Sequence, residues 1–213
     1  MEPLFGECLL STAYLPPVDY FFVLASARSV RIEQHETYRK QSYRNRCRIY
    51  SAAGPETLSV PVLRAGSHNV PVREVEIDYS EPWVRRHQRA LDAAYGNSAF
   101  FEYYRDDLFS LLECGERFLF DFNLRLTEAL LGMAGIRCAP SLTESFVKEP
   151  DPLFTLDFRQ RIHPKYRGES LQAEYKKEKA YFQVFSSRGG FIPNLSVVDL
   201  LAAEGPDALS YLR

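Results

Sequence analysis

The sequence is short of cysteine, tryptophan and net charge, and it has no long apolar run. Four cysteines, Cys8, Cys47, Cys114 and Cys138, stand far apart. No C-x-x-C occurs, and no Cys/His pair has zinc-finger spacing, so spacing points to no metal. The thiols are expected to be reduced, mostly buried and in a cytoplasmic protein, because free cysteine behaves as a small hydrophobe. The formal net charge is only −2, which argues against a DNA binder working through global charge. No apolar stretch reaches the length of a membrane span. The opening Met1-Glu2-Pro3-Leu4-Phe5 lacks the basic start of a signal peptide. There is no P-loop, no G-x-G-x-x-G, no H-E-x-x-H and no G-x-S-x-G. No cofactor or metal is therefore expected. What is abundant is aromatic: 15 Phe and 13 Tyr in 213 residues. Tyrosine suits half-buried positions with a polar tip. Tyr14, Tyr20, Tyr38, Tyr43, Tyr95, Tyr103 and Tyr104 are candidates to line one cleft.

The patterning predicts an α/β fold, with a mixed sheet opened by a βαβ unit and a helical half in the middle of the chain. Residues 7–14 read as a strand. Pro16-Pro17 suits the start of a helix over 18–27, and residues 29–33 alternate as a second strand. Short links between strand, helix and strand favour a parallel pair. From 44 to 49 the period is two, so Arg44, Arg46 and Arg48 share one face and Asn45, Cys47 and Ile49 the other. Gly54-Pro55 is read as the turn of a hairpin whose return strand begins with Leu58, Val60 and Val62, Pro61 within it marking an edge position or the strand's end. Residues 75–78 form a third alternating run, after a loop holding His68. Three helices follow: 81–95 with Ser80 as N-cap, 99–112 and 116–133, closed by glycines. Residues 139–170 carry five prolines and glycines and little periodicity, which marks a lid or excursion. Its Arg159, Arg161, His163, Lys165 and Arg167 make it cationic. Order returns at 181–185, and Ser196 with Asp199 reads as a capping box before a helix closed by Gly205-Pro206. The whole is read as one domain, 1–213, with a sheet part (1–79), a helical part (80–135), the excursion (136–170) and a C-terminal return (171–213).

The densest polar stretch runs from His35 to Cys47, with five cations and no acid between residues 39 and 48. It follows a strand, where open α/β sheets place ligands. Guanidinium groups grip phosphate or carboxylate bidentately, and lysine adds a point charge. The plainer alternative is a solvated hairpin face, against which stands Asn45 on an apolar face. His35, beside Glu33 or Glu36, is either a general base or a surface histidine. His87, on the apolar face of its helix with Trp83, is either a satisfied core histidine or a second base.

Several of these segments resemble the WbqC-like protein family. Ala13-Tyr14-Leu15-Pro16-Pro17-Val18-Asp19-Tyr20-Phe21 is similar to its opening. Tyr38-x-Lys40-x-x-Tyr43-x-Asn45-Arg46 resembles its central signature, and Leu58-Ser59-Val60-Pro61-Val62 its strand ending in Val-Pro. Trp83-x-x-x-His87-x-x-Ala90-Leu91 and Phe100-Phe101-Glu102-Tyr103-Tyr104 resemble its helical middle. Gly190-Phe191-Ile192-Pro193-Asn194-Leu195-Ser196 resembles the tail of a shorter branch seen in Bacteroidetes-type bacteria. Members of polysaccharide gene clusters often carry two acids where this chain has Gln34-His35.

The resemblance implies cell-surface (O-antigen-type) polysaccharide biosynthesis, with transfer of glycine or another acyl group to a nucleotide-activated amino sugar. Lys40, Arg44 and Arg46 would then bind phosphates, and Tyr38, Tyr43 and Asn45 orient the sugar, with Tyr14 and Asn194 as further binding residues. His35 is the first candidate for general base and His87 the second. No residue is an obvious acyl-accepting nucleophile, so transfer is expected to be direct. The rival reading is a non-catalytic module that binds a phosphorylated cell-envelope precursor through the same cations. A third, contact with tRNA, rests on Arg159 to Arg167, and the pI of about 6.1 argues against broad phosphate tracking.

Overall fold

A computed structural model describes residues 2–63, 70–175 and 179–213. The chain opens with β1 (Phe5–Ser11), α1 (Val18–Ser26) and β2 (Ala27–Glu33). The two strands pair in parallel, from Phe5 opposite Ala27 to Ser11 opposite Glu33, as the βαβ pattern predicts. Helix α1 is VDYFFVLAS and nearly every side chain in it is buried. A helix apolar all round belongs inside a protein, and α1 lies against β1 and β2 on one side and C-terminal helices on the other.

The hairpin is β3 (Arg46–Ser51) with β4 (Gly54–Ser59). Its turn is Ala52-Ala53, not Gly54-Pro55, which already pair with Ser51 and Tyr50. Pro61 falls beyond the strand end. Residues 75–78 do not form a strand. They make single bridges, Glu76 to Phe118 and Ile77 to Val62, because neighbours on both sides each claim one bond. The His68 loop lies outside the described residues.

Helices α2 (Trp83–Tyr95), α3 (Phe101–Leu112) and α4 (Leu119–Met133) make the helical half. Trp83, His87, Leu91 and Ala94 are the buried face of α2, the spacing read from the sequence. Ser80 does not cap it. Pro82 is the N-cap, and the Ser80 amide donates instead to Asp78 Oδ1 at 2.9 Å, an Asx-type turn. Gly135, at φ +66°, closes the turn after α4, a conformation glycine adopts without strain.

The excursion supplies two short strands, β5 (Ser141–Leu142) and β6 (Thr155–Asp157). They dock in parallel on opposite edges, giving the order β5-β2-β1-β6. The α/β architecture thus sorts its strands into a four-stranded parallel sheet and a separate antiparallel pair.

The C-terminal part holds α5 (Leu171–Tyr175), α6 (Ser186–Gly189), α7 (Val197–Glu204) and α8 (Ala208–Leu212). Residues 181–185 are irregular, and Gln183 orders them by bonding the amide and carbonyl of Ile192. Ser196 caps α7 through Val198 N, but Asp199 does not complete a capping box. Its carboxylate is drawn to Tyr181 (2.7 Å) and Gln183 (2.8 Å), while the Ser196 amide donates to Arg48 O. Gly205, at φ +52°, ends α7 as expected. No helix among the described residues is long and apolar enough to cross a membrane.

Candidate functional site

All four strands of the sheet run the same way, so their carboxyl ends meet at one edge. β1 ends on Ser11, β2 on Glu33, β6 on Asp157, and Thr143 follows β5. Open parallel sheets bind ligands at this edge, because no strand continues there to fill it.

The edge is built from buried charge. Glu36 receives Arg44 in a two-point ion pair, Nε to Oε1 at 2.9 Å and Nη2 to Oε2. Ser11 Oγ donates to Glu36 at 3.2 Å and accepts from Arg44 at 3.0 Å. Glu33 is fully buried. It accepts from the Thr143 hydroxyl, the His35 amide and the Val147 amide at 2.8–2.9 Å, with Arg159 Nη1 at 3.7 Å. Arg159 also grips Asp157 and the carbonyls of Val147 and Lys148. Buried carboxylates are tolerable only when paired and hydrogen-bonded to this degree.

Between these groups is a cavity of about 10 Å³, the room of about one water. Ser11, Thr12, Tyr20, Tyr43, Arg44 and Arg159 are among its lining. The Tyr20 hydroxyl is buried and finds no partner among the described residues. Burial, with Glu36 beside it, pushes this phenol far above its ordinary range, so it stays a neutral donor.

Arg44 does not lie on one solvent-facing side with Arg46 and Arg48, which are themselves half-buried. It precedes the strand and is 3% exposed, with Asn123 Nδ2 donating to its carbonyl. Tyr43 lines the cavity, and its hydroxyl is bonded to Arg48. Tyr38 is half-buried; burial raises its hydroxyl, and Arg46 and Arg44 oppose this, so all three are neighbours. Lys40 and Arg39 are exposed in the turn that follows. Arg39 reaches Gln160 at 3.3 Å, which joins the two cationic segments. Burial and the neighbouring Arg44, Lys165 and Arg39 hold His163 below its ordinary value.

His35 is exposed at the β5 side of the edge. Its Nε2 lies 3.1 Å from the Thr143 carbonyl oxygen. A carbonyl only accepts, so Nε2 carries the proton and the neutral ring keeps its lone pair on Nδ1.

Four candidates lie elsewhere. Tyr14 and His87 are core residues: the imidazole donates to the Ser59 carbonyl, and its Nδ1 accepts from the Tyr14 hydroxyl at 2.8 Å. Burial above all, with Arg86 adding, lowers His87 to about 4. Asn194 caps α1, its Oδ1 accepting from the Asp19 amide at 3.0 Å. Asn45 holds the hairpin, donating to Val60 O at 2.8 Å. The tyrosines do not share one cleft. Tyr14 and Tyr95 are core, Tyr103 is 69% exposed, and only Tyr20 and Tyr43 reach the cavity.

Ser11, Thr143 and Asp157 were not singled out by sequence motifs. Their signal is positional, since each stands at or just past a strand end, and that is visible only once the short strands are known. Among the described residues no cluster of three or more His, Cys, Asp or Glu is arranged to hold a metal ion.

The sequence model of the WbqC-like protein family matches residues 12–162, which includes every residue of the edge but Ser11. The chain is also similar to the uncharacterized protein Rv1507c of Mycobacterium tuberculosis. The two are 28% identical over 231 aligned positions, covering 96% of this chain and 97% of that protein. No solved structure matches.

Proposed function

Because the chain belongs to the WbqC-like protein family, we propose that it is a transferase of cell-surface polysaccharide biosynthesis. It moves an aminoacyl or acyl group to the amine of a nucleotide-activated amino sugar. The observation that supports this reading is that the loop after β2, at the carboxyl edge, carries exposed His35, Arg39 and Lys40, beside acids that already hold partners. Glu33, Glu36 and Asp157 hold fixed partners, and the base is assigned to His35 through Nδ1, its Nε2 being held by Thr143. Lys40, Arg39 and Arg46 take the phosphates. Arg44 and Arg159, committed to Glu36, Asp157 and Glu33, hold the edge in shape. Tyr38 orients the sugar, and Tyr43, buried against Arg48, helps to shape the edge.

In the reaction the sugar amine attacks the acyl carbonyl carbon and a C–N bond forms. The bond to the leaving group breaks, its electron pair departs with that group, and the amine proton passes to Nδ1 of His35. General-base assistance of this kind is worth about 10²–10⁴-fold. Transfer is direct, so a stable acyl-enzyme adduct in intact mass spectrometry would refute that step.

The test incubates the protein with nucleoside diphosphate amino sugars and activated glycine, reading product by mass and binding by thermal shift. His35→Ala should lose about 100-fold in product formation and keep the thermal shift. Lys40→Ala and Arg46→Ala should weaken the shift. If the shift persists and no donor gives product, the protein is a binding module for the phosphorylated sugar. If neither cation variant changes the shift, the edge is not the site.

A further inference from the structure

The opposite, amino edge of the sheet carries a larger opening. It is a cleft of about 740 Å³ between the segment before β1, the end of α1 and the start of β2. That volume falls in the ordinary range for small-molecule sites. Three guanidinium side chains line it: Arg28 on β2, Arg137 after α4 and Arg213 after α8. They come from three distant parts of the chain, so tertiary structure alone brings them together. Arg213 is steadied by a bond from Nε to the Ala25 carbonyl at 3.4 Å. None of the three has an ion pair among the described residues, whereas Arg31, Arg44, Arg105 and Arg159 all do. The acid nearest in effect is Glu7. Thr155, opposed by burial, and then Arg31 and Arg28 hold its carboxyl below the ordinary range. Its oxygens already receive Thr155 at 2.5 Å and Arg31 at 2.6 Å. Glu2 is the carboxylate side chain on the described lining.

The same cleft exposes apolar surface. Leu4 is 51% and Tyr175 42% exposed, and Phe22 and Leu24 lie behind them. Uncompensated guanidinium groups beside exposed apolar side chains suit a ligand with an anionic head and a water-avoiding body. Several guanidiniums match the many oxygens of a phosphate better than the two of a carboxylate.

We propose that this cleft is a second binding site, for a phosphate monoester with an apolar substituent. Arg28, Arg137 and Arg213 hold the phosphate, and Leu4 and Tyr175 hold the substituent. The site shares no residue with the carboxyl edge, so it stands or falls separately from the transferase reading.

The ester can be free in solution or borne by a lipid, and the two are separated by the probes. Hexyl phosphate, inorganic phosphate and hexanol are titrated calorimetrically into the full chain. Phosphatidylcholine vesicles with and without phosphatidic acid are tested by flotation. Saturable binding of hexyl phosphate, at least tenfold tighter than inorganic phosphate and absent for hexanol, is expected. Arg28→Ala and Arg137→Ala should each weaken it about tenfold, the scale of one charge-assisted contact. Leu4→Ser should reduce the preference for hexyl over inorganic phosphate. Flotation only with phosphatidic acid identifies a lipid source; hexyl phosphate binding without flotation identifies a soluble one. Equal affinity for hexyl and inorganic phosphate overturns the proposal. So does hexyl phosphate binding that is unchanged in Arg28→Ala/Arg137→Ala, or no binding of any phosphate probe.

Discussion

His87 is 5% exposed, with its ring 5.1 Å from Trp83 and its Nδ1 on the Tyr14 hydroxyl. Both ring nitrogens are spent on neutral partners, so a proton there would be buried without a counter-charge. That is why burial takes the group from 6.5 down to about 4. The sign of the consequence follows from proton uptake. Above pH 6.5 both folded and unfolded chains keep the ring neutral. Between 6.5 and 4 the unfolded chain binds a proton that the fold refuses, so stability falls as pH falls. Below 4 both bind it and the loss is complete, at about 3 kcal/mol. Urea midpoints measured from pH 7 to 4 should therefore drop more for the native chain than for His87→Gln. Parallel profiles would show that this ring does not titrate as described. Cys8 tells the same story: burial, with Glu7 adding, raises its thiol to about 12 and leaves it a packing residue.

At the level of elements, α1 is held by its ends. Pro17 is its N-cap and offers no side-chain bond, so the orphan amides of the first turn are served from the far end of the chain. Leu195 O accepts from Val18 N at 2.9 Å, and Asn194 Oδ1 accepts from Asp19 N. Asn194 does this at φ +54°, a left-handed conformation that asparagine tolerates better than other side chains. Asp19 in turn caps α5, accepting from the amides of Leu171 and Gln172. Two of the family-like segments, 13–21 and 190–196, therefore lock together through α1. Replacing Asn194 should separate the two contributions. Asn194→Gly loses only the cap and should cost about 1 kcal/mol, and Asn194→Ala adds the strain of a β-carbon for about 1 kcal/mol more. Chemical denaturation reads both. Equal losses in the two variants would mean that the backbone angle carries no cost.

For the whole molecule, one buried acid joins the strand pairing of β5 and β6 in fastening the excursion 139–170 to the sheet. Glu33, at the end of β2, receives Thr143, Val147 and Arg159, all from that segment. Glu33→Gln keeps the shape and removes the charge, leaving Arg159 with Asp157 as its remaining acid within ion-pair distance. Hydrogen exchange should then quicken across 141–159, while β1 and the helical half keep their protection. Loss of protection throughout would mean instead that Glu33 supports the core as a whole. The same anchoring explains why the segment reads poorly as sequence. Its strands have two and three residues, too few for a period to register, and they exist because β1 and β2 present open edges to them.

How much was legible from residues follows that distinction. The βαβ opening, the hairpin and the three helices were written in local spacing: alternation in 29–33 and 44–49, and recurrence of Trp83, His87, Leu91 and Ala94. A periodic face needs only the chain's own geometry to be recognised. The cationic stretch was likewise visible, but not the fate of its charges. Arg44 was read as a phosphate-binding cation, with a solvated hairpin face as the alternative, and it turns inward because Glu36, eight residues away, neutralises it and Ser11, 33 residues away, accepts from it. Asn194 and Tyr14 belong to family-like motifs, and each is held by a partner more than 70 residues distant. Secondary structure is thus set by near neighbours, which sequence displays. Which charges are paired and which histidine is buried are set by long-range partners, and those only the folded chain brings together.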